Sequence, residues 1–298
     1  MDINKLRSFR NNDFAKIATE LEKTANPEQK SYVDDRVWKP ERDKAGNATA
    51  TIRFLPRTIK DDESDELPWV KIWSHAFKGP SGKWYIENSL TTLGQEDPCG
   101  QLNSKIFNST TDDESPARKQ ARAQKRKLTY TANILVIDDP KHPENNNQVR
   151  LFRFGKKIFD KIMDKARPTF EDEEPVNVFD YWAGANFKLR MKQVEGYPNY
   201  DTSAFGEPTP IAKSDEAILE IANKQYLLKN ELAPSNFKSY DELKKKLEWV
   251  LNGDANDMKT ATEVADTRNK IASKPSPLAI EDDEEELQSY FTALANAD

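Results

Sequence analysis

Positive side chains and aromatic rings are interleaved in the middle third of the chain, between residues 118 and 162. This stretch contains twelve Lys and Arg residues against four Asp and Glu residues, although the whole chain carries a formal net charge of −6. The rings among these cations are Tyr130, Phe152, Phe154 and Phe159. Cations hold phosphate groups, while unpaired bases stack on flat rings. The residue types therefore predict binding of single-stranded nucleic acid.

Two strands and a helix are expected to carry this basic stretch. The apolar runs Tyr130–Ile137 and Val149–Phe154 predict β-strands joined by a polar loop. Apolar residues then recur every four positions, which predicts a helix over residues 154–166. Its beginning contains Lys156 and Lys157, which we assign to the nucleic-acid surface. We expect the cations and open ring faces of this region to line one trough.

A further strand is predicted over residues 186–194, where apolar and polar side chains alternate strictly. The cations on one face of this strand are Lys188, Arg190 and Lys192. Such a stripe is either a solvated strand face or a continuation of the nucleic-acid surface, and both interpretations stay open. Tyr197 and Tyr200 follow in a segment with Gly and Pro, where rings can be presented to a ligand.

The region before residue 118 predicts strands and an insertion. The predicted strands cover residues 50–56, 67–77 and 83–89, of which the last two form a hairpin around a Gly-Pro-Ser-Gly turn. We assign four of their rings to the hairpin core rather than to a base platform: Trp69, Trp73, Trp84 and Tyr85. Residues 90–117 are polar and predict a loop or an inserted subdomain.

Charge and composition divide the chain into four parts. These are a basic N-terminal arm (1–24), a core (25–252) with an insertion at about 61–117 and helices at about 213–251, a flexible linker (253–279) and an acidic tail (280–298). The arm either packs on its own core or docks on a neighbouring molecule. The tail carries seven acids, without which the net charge of −6 becomes +1. It is either a solubilising segment or a docking motif for partners.

Several classes of function lack their motifs. The chain has no phosphate-binding GxxxxGK[ST] loop, no GxGxxG and only two histidines, His75 and His142. Its single cysteine, Cys99, excludes an internal disulfide and agrees with a reducing compartment. We expect neither a membrane span nor a secretion signal. Two alternatives to a nucleic-acid binder stay open, a carboxylate-metal nuclease that acts on single strands and an interaction scaffold without DNA.

Seven segments within residues 36–205 occur in an order that resembles a known family. They are IRFLP, KWYIE, KRKLTYTANILV, DP…PEN, FRFGKKIFDKI, GANFKL and QVEGYPNYD. Together they resemble the single-stranded DNA-binding proteins of T4-type bacteriophages. The resemblance implies an α+β fold built on an oligonucleotide-binding (OB) fold, a five-stranded Greek-key β-barrel with an inserted subdomain and C-terminal helices.

The resemblance also implies a function. It implies cooperative, largely sequence-independent binding that coats and protects single-stranded DNA in phage replication, recombination and repair, without catalysis, in the cytoplasm of the infected bacterium. Self-association along DNA would use the arm, and the acidic tail would contact replication and recombination proteins. KLRSF (5–9) loosely matches a family motif in the arm. The residues expected to contact a neighbouring protomer are Lys5, Arg7, Ser8 and Arg10.

Positions in the DNA cleft can be carried over from the family. The expected cleft rings are Tyr130, Phe152, Tyr197 and Tyr200. The expected phosphate partners are Lys125, Arg126, Lys127 and Arg153. KRKLT (125–129) matches the Lys/Arg–Ser/Thr motif of the family.

The chain departs from the family at a metal site. Related proteins can hold a structural zinc with one His and three Cys in the inserted segment. The matching positions here are His75, Ser89, Cys99 and Leu102. Only two of these can ligate zinc, whereas a structural site needs four good ligands. We therefore expect neither zinc nor another cofactor, and we expect packing to hold residues 90–117.

Overall fold

A computed structural model describes residues 34–60, 67–170, 172–194 and 197–252. Four segments with predictions lie outside the described residues: the arm (1–24), the first residues of the insertion (61–66), the linker (253–279) and the tail (280–298). The four expected protomer-contact residues in the arm lie outside them as well.

Nine strands and five α-helices form in the described residues. The strands are β1 (Val37–Trp38), β2 (Ala48–Phe54), β3 (Trp69–Lys78), β4 (Trp84–Asn88), β5 (Lys127–Asp138), β6 (Val149–Phe154), β7 (Ala185–Val194), β8 (Tyr197–Asn199) and β9 (Ala204–Pro208). The helices are α1 (Pro98–Ser109), α2 (Pro116–Ala123), α3 (Lys156–Ala166), α4 (Asp215–Asn223) and α5 (Tyr240–Asn252). The predicted α+β class is confirmed. Among these helices, none is both long and apolar enough to span a bilayer.

The sheet is built around β5. One edge of β5 pairs with β6, and the other edge pairs first with β3 and then with β2. The sheet continues from β3 to β4, and from β2 to β7, which also pairs with β8 and β9. These pairs are antiparallel, whereas β1 joins β6 in parallel. The pairing in the described residues leaves this nine-stranded sheet open. The predicted closed five-stranded barrel is therefore not observed, and the OB-fold assignment stays a prediction.

The main core lies on one face of this sheet. Alternate residues of β2 and β7 point into it, as the period of two requires, and Phe54 lies at its centre. The Phe54 ring centroid is 5.4–6.3 Å from the centroids of five other phenylalanines. Helix α3 covers the core with Ile158 and Ile162, so its predicted four-residue spacing is confirmed. A smaller core on the opposite face packs α4 against Leu55 and Leu135.

A second core joins the far end of the β3–β4 hairpin to α1 and α5. Phe77, Tyr85 and Leu90 pack there against apolar residues of α5. The hairpin approaches α5 so closely that a Cβ at Gly79 would lie 2.3 Å from the Val250 carbonyl oxygen. Helix α5 begins with a capping box, in which Ser239 N donates to Glu242 Oε2 at 2.9 Å.

Two helices occur where sequence patterns predicted a polar loop or subdomain over residues 90–117. Helix α1 begins after Asp97, whose carboxylate accepts hydrogen bonds from the N–H groups of Cys99 and Gly100. Helix α2 begins after Ser115, whose hydroxyl caps Arg118 N. In each case a capping residue precedes a proline at the first helical position. The Asp-Pro and Ser-Pro pairs were therefore the sequence signals for these helices.

Candidate nucleic-acid interface

A half-buried tryptophan and an arginine form the first part of the interface. Arg126 lies just before β5, and the Cζ atom of its guanidinium group is 4.0 Å from the centroid of the Trp73 ring on β3. Its Nη1 also donates to Thr91 Oγ1 at 2.6 Å. A guanidinium group on a ring face is held by a cation–π interaction and still presents a planar, positive surface. The pair therefore suits both phosphates and bases.

The register of β3 against β5 extends this surface. Trp69, Lys71 and Trp73 alternate along β3, so their side chains share one face of the strand. Lys71 pairs with Tyr130, and the Lys71 Nζ atom lies 6.0 Å from the centroid of that ring. Lys71 is exposed, while both tryptophans are half-buried. Sequence patterns assigned these tryptophans to the core and did not single out Lys71, although Trp-x-Lys-x-Trp is a strand alternation of rings and a cation.

Helix α3 completes the surface through Phe159. The Phe159 ring lies parallel to Tyr130 with 4.1 Å between centroids, and it meets the edge of Trp69 at 5.4 Å. Trp69 and Phe159 both pack on the main core while remaining partly exposed. The β3–β5 platform, defined as Trp69, Lys71, Trp73, Arg126 and Phe159, thus lies where the main core opens to solvent.

Two of the predicted cleft rings lie in the core. Tyr130 is 5% exposed and lies between Phe154 and Phe159 in a stacked arrangement. Phe152 is 4% exposed and packs against Trp38 and Phe54. The expectation that these two rings present open faces is wrong, because neighbouring rings cover them. Tyr130 instead supports the platform by packing under Phe159.

The predicted lysines beside the platform differ in their surroundings. Lys125 and Lys127 flank Arg126 and are half-buried. Lys157 is exposed in the first turn of α3, where the helix dipole adds positive potential. Lys156 forms an ion pair with Asp160 at 3.2 Å. Since Phe159 belongs to the platform, the beginning of α3 lies beside it.

Arg153 lies on the other face of the sheet. Arg153 in β6 pairs with Thr131, whereas its neighbour Phe154 pairs with Tyr130 on the core face. Because successive residues of a strand point to opposite faces, Arg153 faces away from the main core. The Arg153 Nη2 atom is 3.0 Å from Glu231 Oε2, and Arg36 Nη2 is 3.0 Å from the other carboxylate oxygen of the same residue. The expected phosphate partner is therefore engaged in an ion pair with a buried glutamate, away from the platform.

The three cations of β7 are exposed, as the alternation predicted. Lys188 pairs with Thr51 of β2, and Arg53 of the same β2 face pairs with Leu135 of β5. Leu135 and Tyr130 differ by an odd number of residues, so the β7 stripe and the platform lie on opposite faces of the sheet. The β7 stripe therefore does not continue the platform on the same face, and the expected single trough of the basic stretch is interrupted by Arg153, which lies on the face opposite the platform. Lys188, Arg190 and Lys192 form no ion pair with another described residue.

The two predicted tyrosines after β7 also differ in exposure. Tyr197 is 56% exposed and pairs with Val194 at the end of β7. Tyr200 is half-buried against the main core, and burial raises the pKa of its hydroxyl. Tyr197 therefore presents an open ring near the β7 stripe, and Tyr200 presents only part of one.

The first cations of the basic stretch have acidic partners nearby. Arg118 Nη1 lies 2.5 Å and Arg122 Nη1 lies 3.5 Å from Asp113 Oδ1. Lys119 Nζ lies 2.7 Å from Glu114 Oε2. The acidic loop before α2 thus neutralises part of the local charge that the sequence shows.

The positions that match the family's zinc ligands form a different kind of site. His75 Nε2 lies 3.2 Å from Asp97 Oδ1. Burial raises the pKa of Asp97, but hydrogen bonding and the charge of His75 outweigh this effect and hold it at about 2. Burial raises the pKa of the Cys99 thiol. The described residues contain no group of three His, Cys, Asp or Glu side chains that could hold a metal ion.

Comparison with known proteins places this sequence in a family. The family described as gp32 DNA binding protein like matches residues 46–251. The chain belongs to this family. It is 36% identical to the single-stranded DNA-binding protein of Enterobacteria phage T2 over 294 residues, which cover 97% of this chain and 94% of that protein. It is also 36% identical to the protein of the same description from Enterobacteria phage T4 over 293 residues, with the same coverage.

A shorter relative supports the same assignment. The single-stranded DNA-binding protein of Enterobacteria phage RB70 is 38% identical over 125 residues, which cover 41% of this chain and 98% of that sequence. The resemblance inferred from the seven sequence segments is therefore confirmed.

Proposed function

We propose that this family member binds single-stranded DNA without catalysis and protects it during phage replication, recombination and repair in the cytoplasm of the infected bacterium. The observation that carries the proposal is the Arg126 guanidinium on the Trp73 ring, next to the exposed Lys71. Membership in a family whose members are described as DNA-binding supports it.

The platform combines the two interactions that sequence-independent binding needs. Lys71 and Arg126 neutralise backbone phosphates, which are the same in every sequence. The half-buried rings and the guanidinium plane offer flat surfaces on which any base can stack. The side chains are held in place before DNA arrives, because Trp69 and Phe159 already pack on the main core. Less ordering is then required on binding.

The β7 stripe is proposed as a second phosphate contact, used by strands long enough to pass around the sheet. Its three cations are exposed, and Tyr197 lies near the end of the same strand. We also propose that the sheet is an elaborated OB-fold. The sharing of the long strand β5 between β3 on one side and β2 on the other supports this assignment.

A salt titration tests the function. The affinity of the full chain for oligo(dT) is measured by fluorescence anisotropy at salt concentrations from about 50 to about 500 mM NaCl, a roughly tenfold range. Each phosphate contact should contribute a slope of about −0.7 to log K against log salt. Oligo(dA) of the same length should bind with a similar slope, and duplex DNA should bind more weakly. Affinity that does not change with salt would contradict the proposal, as would cleavage of the labelled strand in Mg²⁺ or Mn²⁺.

Cooperative binding, self-association and partner contacts are proposed for the two ends of the chain. The basic arm is proposed to contact a neighbouring protomer, and the acidic tail is proposed to contact replication and recombination proteins. Removing residues 1–24 should spare binding to a short oligonucleotide but weaken coverage of a long strand. Equal loss on both lengths would instead make the arm part of the DNA site.

A further inference from the structure

His75 connects two segments that are distant in the chain. It is 1% exposed, and its Nδ1 atom donates to the carbonyl oxygen of Gln124 at 2.8 Å. Its Nε2 atom faces Asp97 Oδ1 at 3.2 Å. The hydrogen bond at Nδ1 fixes the orientation of the ring, and the carboxylate lies close to Nε2 without meeting hydrogen-bond geometry. His75 on β3 therefore ties the beginning of α1 to Gln124, the residue that follows α2.

Asp97 extends this connection into residues 90–117. Its Oδ1 accepts hydrogen bonds from the N–H groups of Cys99 and Gly100, both at 3.0 Å. Its Oδ2 accepts one from Leu90 N at 3.2 Å. Three backbone donors therefore compensate the buried carboxylate, and the imidazole of His75 lies 3.2 Å from it.

The side chains around this pair do not fit the zinc site of the family. Ser89 Oγ shares a hydrogen bond with Thr91 Oγ1 at 3.0 Å, and Leu102 packs on the second core. Cys99 Sγ lies 3.7 Å from the Gln124 carbonyl oxygen, to which it donates. Apolar packing and hydrogen bonds thus occupy the positions at which four ligands would be needed.

We infer that the His75–Asp97 strut, defined as these two side chains and the Gln124 carbonyl, holds residues 90–117 to the sheet without a metal ion and thereby positions Arg126. Gln124 lies two residues before Arg126. Its N–H is fixed by the carbonyls of Gln120 and Ala121. The strut therefore sets where the chain leaves α2 and enters β5.

Residues 90–117 also hold the guanidinium group of Arg126. Thr91 accepts from Arg126 Nη1, and Thr92 Oγ1 accepts from Trp73 N at 2.8 Å. Both threonines lie in the turn that begins at Leu90, whose N–H is bonded to Asp97. Loss of the Asp97 carboxylate should therefore loosen both Arg126 and β3, the strand that carries the Trp73 ring.

The metal-free part of the inference is tested on the unmodified full chain. The protein is purified with zinc in the buffers, its metal content is measured by mass spectrometry, and its melting temperature is recorded with and without EDTA. We expect no stoichiometric zinc and the same melting temperature in both conditions. One zinc per chain, with a melting temperature that falls on chelation, would overturn the inference.

The positioning part rests on the proposed DNA-binding function and is tested with Asp97→Asn. The exposed neighbour Glu96 supplies the matched control, Glu96→Gln. Asp97→Asn should lower the melting temperature. At about 10 °C, where circular dichroism is used to verify that the variant is folded, it should also weaken oligo(dT) binding by about tenfold, which corresponds to roughly one lost charged contact. Glu96→Gln should change neither quantity. A lower melting temperature with unchanged affinity would overturn the positioning role.

A second variant covers the case in which Asp97→Asn does not fold. His75→Gln retains an N–H donor for the Gln124 carbonyl but removes the imidazole from the carboxylate. It should give an intermediate loss of affinity, and unchanged affinity and melting temperature would overturn the strut. If the unmodified chain bound no DNA at all, the proposed function would fail, while the metal and melting results would still decide whether the strut is metal-free.

Discussion

At the scale of single residues, buried polar side chains hold parts of the sheet together. Asp139 accepts hydrogen bonds from Trp38 Nε1 at 2.8 Å and from Asn145 Nδ2 at 3.0 Å. Burial raises the pKa of Asp139, but these hydrogen bonds outweigh burial and keep the pKa below its ordinary value of 3.8. A carboxylate with a lowered pKa stabilises the fold above the unfolded-state pKa, and this contribution is lost as the pH falls.

Replacement of this carboxylate should have a pH-dependent cost. Asp139→Asn should lower the free energy of unfolding by about 1–3 kcal/mol at pH 7, because it weakens the acceptor for the buried Trp38 donor and the half-buried Asn145 donor. The difference from the unmodified chain should shrink once the pH falls below 3.8, where the native chain begins to lose the same contribution. Urea unfolding at pH 7 and pH 3 measures both values. The exposed Asp164→Asn is the control, and a pH-independent difference for Asp139→Asn would contradict the argument.

At the scale of elements, α5 is joined to the hairpin by a close backbone approach at Gly79. Gly79→Ala should lower the free energy of unfolding by about 1–3 kcal/mol, because the new methyl group would overlap Val250. Gly206→Ala is the matched control, since its nearest neighbour would be 3.7 Å away. Thermal unfolding of the two variants provides the measurement. Equal stability of the two would show that α5 can move away from the hairpin without cost.

The strands could be predicted from sequence because their side chains alternate, as in β7, where each exposed cation was placed correctly. The two helices of the insertion were missed because their polar composition hides any periodicity, although Asp-Pro and Ser-Pro mark their beginnings. The site was harder to predict than the fold. Whether a ring such as Phe152 is open depends on which neighbours cover it, and that is decided by strand register and by α3 rather than by spacing along the chain.

At the scale of the whole molecule, the distribution of charge matters more than its sum. The net charge of −6 conceals an exposed β7 stripe on one sheet face and a positive platform on the other. The cations of α2, by contrast, are paired with Asp113 and Glu114. Local potential at the two surfaces, and not overall acidity, should govern how a polyanion approaches.

Neutralising the β7 stripe should affect long strands more than short ones. The triple variant Lys188→Gln, Arg190→Gln and Lys192→Gln should reduce the magnitude of the log K against log salt slope by roughly 1–2 on a long strand, because two or three phosphate contacts are lost. A short oligonucleotide that reaches only the platform should bind as before. Removal of three exposed lysines elsewhere, Lys224, Lys244 and Lys245, serves as the control. An equal change in both triple variants would contradict a specific contact.

The central claim is that DNA binds at the β3–β5 platform, and the most direct measurement is the affinity of Trp73→Ala for a short oligo(dT). Trp182→Ala is the matched control, because Trp182 is a 57% exposed tryptophan outside the platform. Trp73→Ala should weaken binding by about 1–3 kcal/mol while the protein stays folded, and Trp182→Ala should leave affinity unchanged. Unchanged affinity in a folded Trp73→Ala variant, or the same loss in both variants, would contradict the account.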